Sequence, residues 1–141
     1  MSIRTASVQW VDNLTFTTKT ESGHSGWLDS FPKDGQTSKG PTPMELLLVA
    51  VAGCTGMDIV DMLKKKRLNV TGVQVKVEGT RAETFPMVYT QLNLVYTVRG
   101  KDIPASAVEQ AVQLSEEKYC SVGLMLGKTA TITSRFEIIE E

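Results

Sequence analysis

The stretch Leu46-Leu47-Leu48-Val49-Ala50-Val51-Ala52-Gly53-Cys54 constrains this chain more than any other. It is apolar throughout, and it follows Thr42-Pro43-Met44-Glu45. There Thr42 can cap a helix, Pro43 suits the first helical position, and Glu45 completes a capping box. The pattern predicts a helix from that point to Arg67. Its first half has no polar face and so needs cover on every side. Its second half is amphipathic, with Met57, Val60 and Leu63 on one face and Asp58 and Asp61 elsewhere. An apolar run of nine residues falls far short of the roughly 20 that a membrane span needs. A core helix is therefore expected, with no membrane partner. The closing Lys64-Lys65-Lys66-Arg67 suits the negative pole of the helix dipole and reads as a solvated helix end.

The flanking patterns are mostly strands. Val8, Trp10, Leu14 and Phe16 alternate with polar residues on either side of Asp12-Asn13, a hairpin signal. A turn at Glu21-Ser22-Gly23 leads into a short strand around 25–29, followed by a loop from Phe31 to Pro41. Val73, Val75 and Val77 alternate, as do Leu92, Leu94, Tyr96 and Val98, with a break at Glu83-Thr84-Phe85-Pro86. These are two long strands expected to pair. Pro104 opens a helix to about Lys118 whose inner face carries Val108, Ala111, Val112 and Ser115. A short apolar turn after Cys120-Ser121 stops at Gly127, and Ile132, Phe136 and Ile138 alternate in a final strand. The order β-β-β-α-β-β-α-β is α+β, expected as a single domain over residues 1–141. About six strands and two main helices are hard pressed to cover the central helix, so an obligate homodimer is expected.

Charge and cysteine usage narrow the function. The net charge of −1, with no concentrated basic face, argues against nucleic acid as a partner. Met1 to Trp10 has no apolar core of the kind a signal peptide carries, so the expected location is cytoplasmic. In a reducing compartment Cys54 and Cys120, 66 positions apart, are either inert packing or redox chemistry. One histidine, no Cys-x-x-Cys and no His-x-His leave little to build a metal site from, and no cofactor is expected. Cys54 lies in the most apolar helix, where a free thiol commonly packs as a small hydrophobe. Cys120 falls between two helical segments, two residues after Lys118, a setting that lowers a thiol pKa.

Gly40-Pro41-Thr42-Pro43-Met44-Glu45-Leu46-Leu47, Ala50-Val51-Ala52-Gly53-Cys54 and Asp58-Ile59-Val60 resemble the OsmC/Ohr family of osmotically inducible and organic hydroperoxide resistance proteins. Glu117-Lys118-Tyr119-Cys120-Ser121-Val122 resembles that family's second cysteine motif. The resemblance spans essentially the whole chain. It implies an OsmC-like fold, with antiparallel sheets around a long buried helix in an intertwined homodimer. It also implies a thiol peroxidase acting on organic hydroperoxides and recycled by an external dithiol, in oxidative-stress defence. By position Cys54 would attack the peroxide and Cys120 would resolve the product to a disulfide.

The departures from the family pattern are specific. Peroxidase members carry a thiolate-activating arginine in the first hairpin, where this chain has Trp10-Val11-Asp12-Asn13. They also place a glutamate ten positions before the cysteine. Here that position is Met44, and Glu45 stands nine before Cys54. Nine residues of α-helix turn through about 900°, which sets Glu45 opposite Cys54 and makes capping its better reading. Asp58, one turn after Cys54, would raise a nearby thiol pKa. His24 in Ser22-Gly23-His24-Ser25-Gly26 is either a solvent-facing loop residue or, as in the branch without the hairpin arginine, that arginine's replacement. The competing reading is a non-catalytic OsmC-like dimer that binds a small apolar ligand or acts as a redox sensor.

Overall fold

The computed structural model describes residues 2–141. Its elements are β1 (Ala6–Asp12), β2 (Thr15–Thr20), β3 (Ser25–Leu28), α1 (Pro43–Lys65), β4 (Asn69–Arg81), β5 (Tyr89–Lys101), α2 (Ala105–Leu114), a π-helical turn (Ser115–Tyr119), α3 (Ser121–Leu126) and β6 (Thr131–Glu140). By internal contacts the chain forms two compact units, divided within the first turns of α1 between Leu47 and Leu48.

The first unit is an antiparallel sheet in the order β1-β2-β3. The β1–β2 turn places Asn13 at a φ of 47°, a conformation asparagine tolerates better than most residues. All of β1 is exposed, Trp10 and Val8 included, so its alternation does not mark an inner face within the single chain. The loop after β3 is pinned by Asp29, whose carboxylate accepts from Thr15 Oγ1 (2.9 Å), Ser30 N (2.7 Å) and Lys39 N (2.9 Å). The two backbone donors, Lys39 first, hold that carboxyl below its usual range. Gly40 has no room for a side chain, since a Cβ there would lie 2.6 Å from the Trp27 carbonyl.

The second unit holds the core. β4 and β5 pair antiparallel in the register Val73↔Val98, Val75↔Tyr96 and Val77↔Leu94, which aligns the two alternating runs of the sequence. β6 joins β5 in parallel, with Leu92↔Ile132, Tyr96↔Phe136 and Val98↔Ile138, so this sheet is mixed rather than wholly antiparallel. The connection through α2 and α3 is a crossover, the kind a parallel neighbour requires. Ile59, Leu63, Leu92, Tyr96, Val98 and Val108 are completely buried. α2 buries Ala107, Val108, Ala111 and Val112, the face its spacing implies.

α1 runs 23 residues, long and apolar enough by composition to cross a membrane. Its buried row Val51, Thr55, Ile59 and Leu63 recurs every four residues, as on a helix packed against a core along one side. Leu46, Leu47, Val49 and Met57 stay exposed, so the single chain does not give the apolar half the cover its composition leads one to expect. The helix ends at Arg67 (φ 58°), where Leu68 N reaches Leu63 O and Arg67 N reaches Lys64 O, a Schellman closure without glycine. The basic run is engaged locally: Lys65 pairs with Asp61 at 2.9 Å and Lys66 with Gln110.

Candidate active site

Glu45 and His24 belong to the first unit, and both are held by their neighbours. Thr42 N donates to Glu45 Oε1 at 2.9 Å and Glu45 N donates to Thr42 Oγ1 at 3.0 Å, a complete capping box. His24 is exposed at the β2–β3 turn, its Nδ1 hydrogen-bonded with Ser22 Oγ at 3.0 Å and its carbonyl accepting from Thr20 N.

In the second unit the fold brings the two cysteines together. Cys54 is half-buried on α1 and Cys120 is fully buried between the π turn and α3. Their thiols lie close enough for Cys54 to act on the ionisation of Cys120. Cys120 N donates to Ser115 O at 2.7 Å, the i→i+5 bond that makes the preceding turn π-helical. The Cys120 sulfur accepts from Gly123 N at 3.2 Å and so caps α3. A Cβ on Gly123 would stand 3.2 Å from that sulfur, which favours glycine there.

The electrostatics of Cys120 correct the sequence-based expectation of a lowered pKa. Burial pushes its thiol up to about 12, the Cys54 thiol and the Asp58 carboxylate add to this, and the Gly123 N–H offsets only part. Lys118 does not supply the anticipated cation, because its ammonium lies over the Tyr119 ring, 5.2 Å from the centroid. A helix of six residues contributes one N–H to the sulfur, and removal from water outweighs it.

Several polar residues around the thiols escaped sequence reasoning. Ser115, fully buried, donates from Oγ to Asp58 Oδ2 at 2.9 Å. Tyr96, also fully buried, donates to Glu116 Oε2 at 3.2 Å, and Ser134 Oγ donates to Glu116 Oε1 at 2.7 Å. Burial first, and the Glu116 carboxylate next, drive the Tyr96 phenol well above its ordinary pKa. Thr55 returns its hydroxyl to the α1 carbonyls of Val51 and Ala52. Asp58 was visible as a charge one turn beyond Cys54. Its partner 57 positions on carries no sequence signal, and neither does a π turn. The outer side of α1 lines an open apolar groove of about 800 Å³, bounded by Val49, Gly53, Met57, Val60 and Val75.

Residues 35–135 match the model of a family described as OsmC-like protein. Protein YhfA of Escherichia coli K12 is 42% identical over 134 residues, covering 95% of this chain and 97% of its own length. The crystal structure of a protein from Aquifex aeolicus VF5 superposes with a TM-score of 0.89 at 33% identity, covering 100% of this chain and 99% of the other. The fold also matches that of an organic hydroperoxide resistance protein from Legionella pneumophila, with a TM-score of 0.68 at 14% identity over 97% of this chain and 98% of that one.

Proposed function

The chain belongs to the OsmC-like protein family, and from that premise we propose that it is a cytoplasmic, homodimeric thiol peroxidase for organic hydroperoxides. The single observation that carries the reading is the proximity of the Cys54 and Cys120 thiols, close enough for Cys54 to help raise the pKa of Cys120. Two free cysteines so far apart in sequence gain nothing from this as packing alone, whereas a peroxidatic and a resolving thiol require it.

The half-buried Cys54 is the attacking sulfur, because substrate can reach it and cannot reach Cys120. Its thiolate attacks the terminal peroxide oxygen and the O–O bond breaks. The electron pair leaves on an alkoxide, which takes a proton to depart as the alcohol, and Cys54 becomes a sulfenic acid. The Cys120 sulfur then attacks Cys54. The S–O bond breaks, and hydroxide leaves with the thiol proton as water. An external dithiol returns both thiols by exchange. His24 of a second copy stands in for the hairpin arginine by offering charge or a hydrogen bond to the developing anion, and Glu45 contributes by fixing the start of α1. The exposed Leu46, Val49 and Met57 are the surface a second copy covers.

Substoichiometric cumene hydroperoxide should convert the reduced protein to an intramolecular Cys54–Cys120 disulfide, read by peptide mapping without reductant. Cys120→Ser should leave a dimedone-reactive sulfenic acid on Cys54, and Cys54→Ser should consume no peroxide. Slow oxidation of both thiols at the rate of free cysteine would sink the reading.

A second reading, a redox sensor or apolar-ligand carrier with little turnover, is favoured by one observation. Among the described residues no cation lowers the Cys120 pKa, and the Asp58 carboxylate adds to the burial that opposes thiolate formation. In that case the groove along α1 would take the ligand.

A further inference from the structure

Asp58 and Ser115 form a hydrogen-bonded polar pair beside Cys120 that the peroxidase steps leave without a task. Ser115 makes two bonds. Its hydroxyl donates to Asp58 Oδ2 at 2.9 Å, and its carbonyl accepts from Cys120 N at 2.7 Å. Asp58 lies one helical turn beyond Cys54, on the same face of α1. These relations close a ring: Cys54 and Asp58 stand one turn apart on α1, Asp58 is bonded to Ser115, Ser115 to Cys120, and the Cys120 thiol lies near that of Cys54. Within this ring the Asp58–Ser115 hydrogen bond is the side-chain link between the helix that carries one sulfur and the turn that carries the other.

We propose that Asp58 and Ser115 are positioning residues for the second half-reaction, holding the π turn on α1 so that the Cys120 thiol meets the Cys54 sulfenic acid. The step they serve joins Cys54 sulfur to Cys120 sulfur. It breaks the S–O and S–H bonds and releases one water, with both oxidising equivalents already supplied by the peroxide. The idea rests on the peroxidase reading, but its geometry applies to any oxidation of the Cys54–Cys120 pair. Ser115 has no exposed surface, so its hydroxyl has no water to turn to if Asp58 is lost. A π turn has one residue more per bonded loop than an α turn and is rare, and a partner outside the turn such as Asp58 helps to fix its register.

The groups that face Cys120 are Cys54 and Asp58 from α1, Tyr96 from β5 and the Gly123 N–H from α3. Removing the carboxylate therefore changes charge as well as position, and the two effects must be separated. Asp58→Asn keeps an acceptor for Ser115 and deletes the charge. Ser115→Ala and Asp58→Ala delete the bond.

The experiment times two steps in each reduced variant. Sulfenic acid on Cys54 is trapped with dimedone after cumene hydroperoxide, and disulfide closure is followed by mass. Circular dichroism confirms that each variant folds. Ser115→Ala and Asp58→Ala should slow closure at least tenfold relative to sulfenic acid formation, while Asp58→Asn restores closure to the wild-type rate or faster. Closure at the wild-type rate in folded Ser115→Ala would overturn the proposal, as would failure of Asp58→Asn to restore it. If the wild type forms no sulfenic acid, the peroxidase reading falls. Closure is then driven with oxidised dithiothreitol, where Ser115→Ala should shift the dithiol–disulfide equilibrium at least tenfold toward the dithiol. An unshifted equilibrium would overturn the proposal on its own.

Discussion

Raising the pH of the reduced protein tests the electrostatics of Cys120 directly. An ordinary thiol here would have a pKa of 9.0, whereas burial, Cys54 and Asp58 hold this one at about 12. At pH 8 the thiolate fraction should therefore be about a thousandfold below that of an unperturbed cysteine. Alkylation proceeds through the thiolate. Iodoacetamide labelling of Cys120, quantified by peptide mass against the same protein in urea, should be slower by about that factor. The logarithm of the rate should still climb at pH 10.5, past the point where the unfolded chain levels off. The sign for stability follows: the folded state keeps this proton longer than the unfolded state. The contribution of Cys120 is thus fully present below pH 9 and is lost as pH rises from 9 toward 12. A slow rate with a midpoint near 9 would mean that reagent reaches Cys120 only through opening of the fold. That result would refute the claim that its surroundings suppress ionisation.

Other perturbations separate roles that the sequence leaves entangled. Thr42→Ala should cost about 1 kcal/mol in urea denaturation through loss of the cap, while Glu45→Gln, which still completes the box, should cost under about 0.5 kcal/mol; a large loss of peroxide turnover in Glu45→Gln at unchanged stability would show that the carboxylate has a chemical role. His24→Ala should slow peroxide consumption at least tenfold, about 1.4 kcal/mol of barrier, in a folded protein, and Val11→Arg in that background should recover part of the rate; a wild-type rate in the alanine variant would return His24 to an ordinary turn residue. Sedimentation at low micromolar concentration should show a dimer, and Val49→Asp on the exposed face of α1 should shift it toward monomer; a stable wild-type monomer would defeat the homodimer.

The sequence by itself determined the element order, the pairing of two long strands and the start of α1, because these rest on local rules. Alternation of side chains marked Val73, Val75 and Val77, and Leu92, Leu94, Tyr96 and Val98, as two strands, and the fold pairs them. Thr42 and Glu45 are close enough along the chain to satisfy each other whatever the rest does. The motifs around Cys54 and Cys120 carried the family, which the match over residues 35–135 bears out.

Only the tertiary structure decided the chemistry available to Cys120. A helix start and a nearby lysine argued locally for a low pKa, but burial first, and then the Cys54 thiol brought near by the fold, win. Partners such as Asp58 and Ser115, or Tyr96 and Glu116, lie 57 and 20 positions apart, and no periodicity links them. They meet because α1, β5 and the π turn converge on one interior, where an unpaired polar group costs about 1–3 kcal/mol and each must find an acceptor.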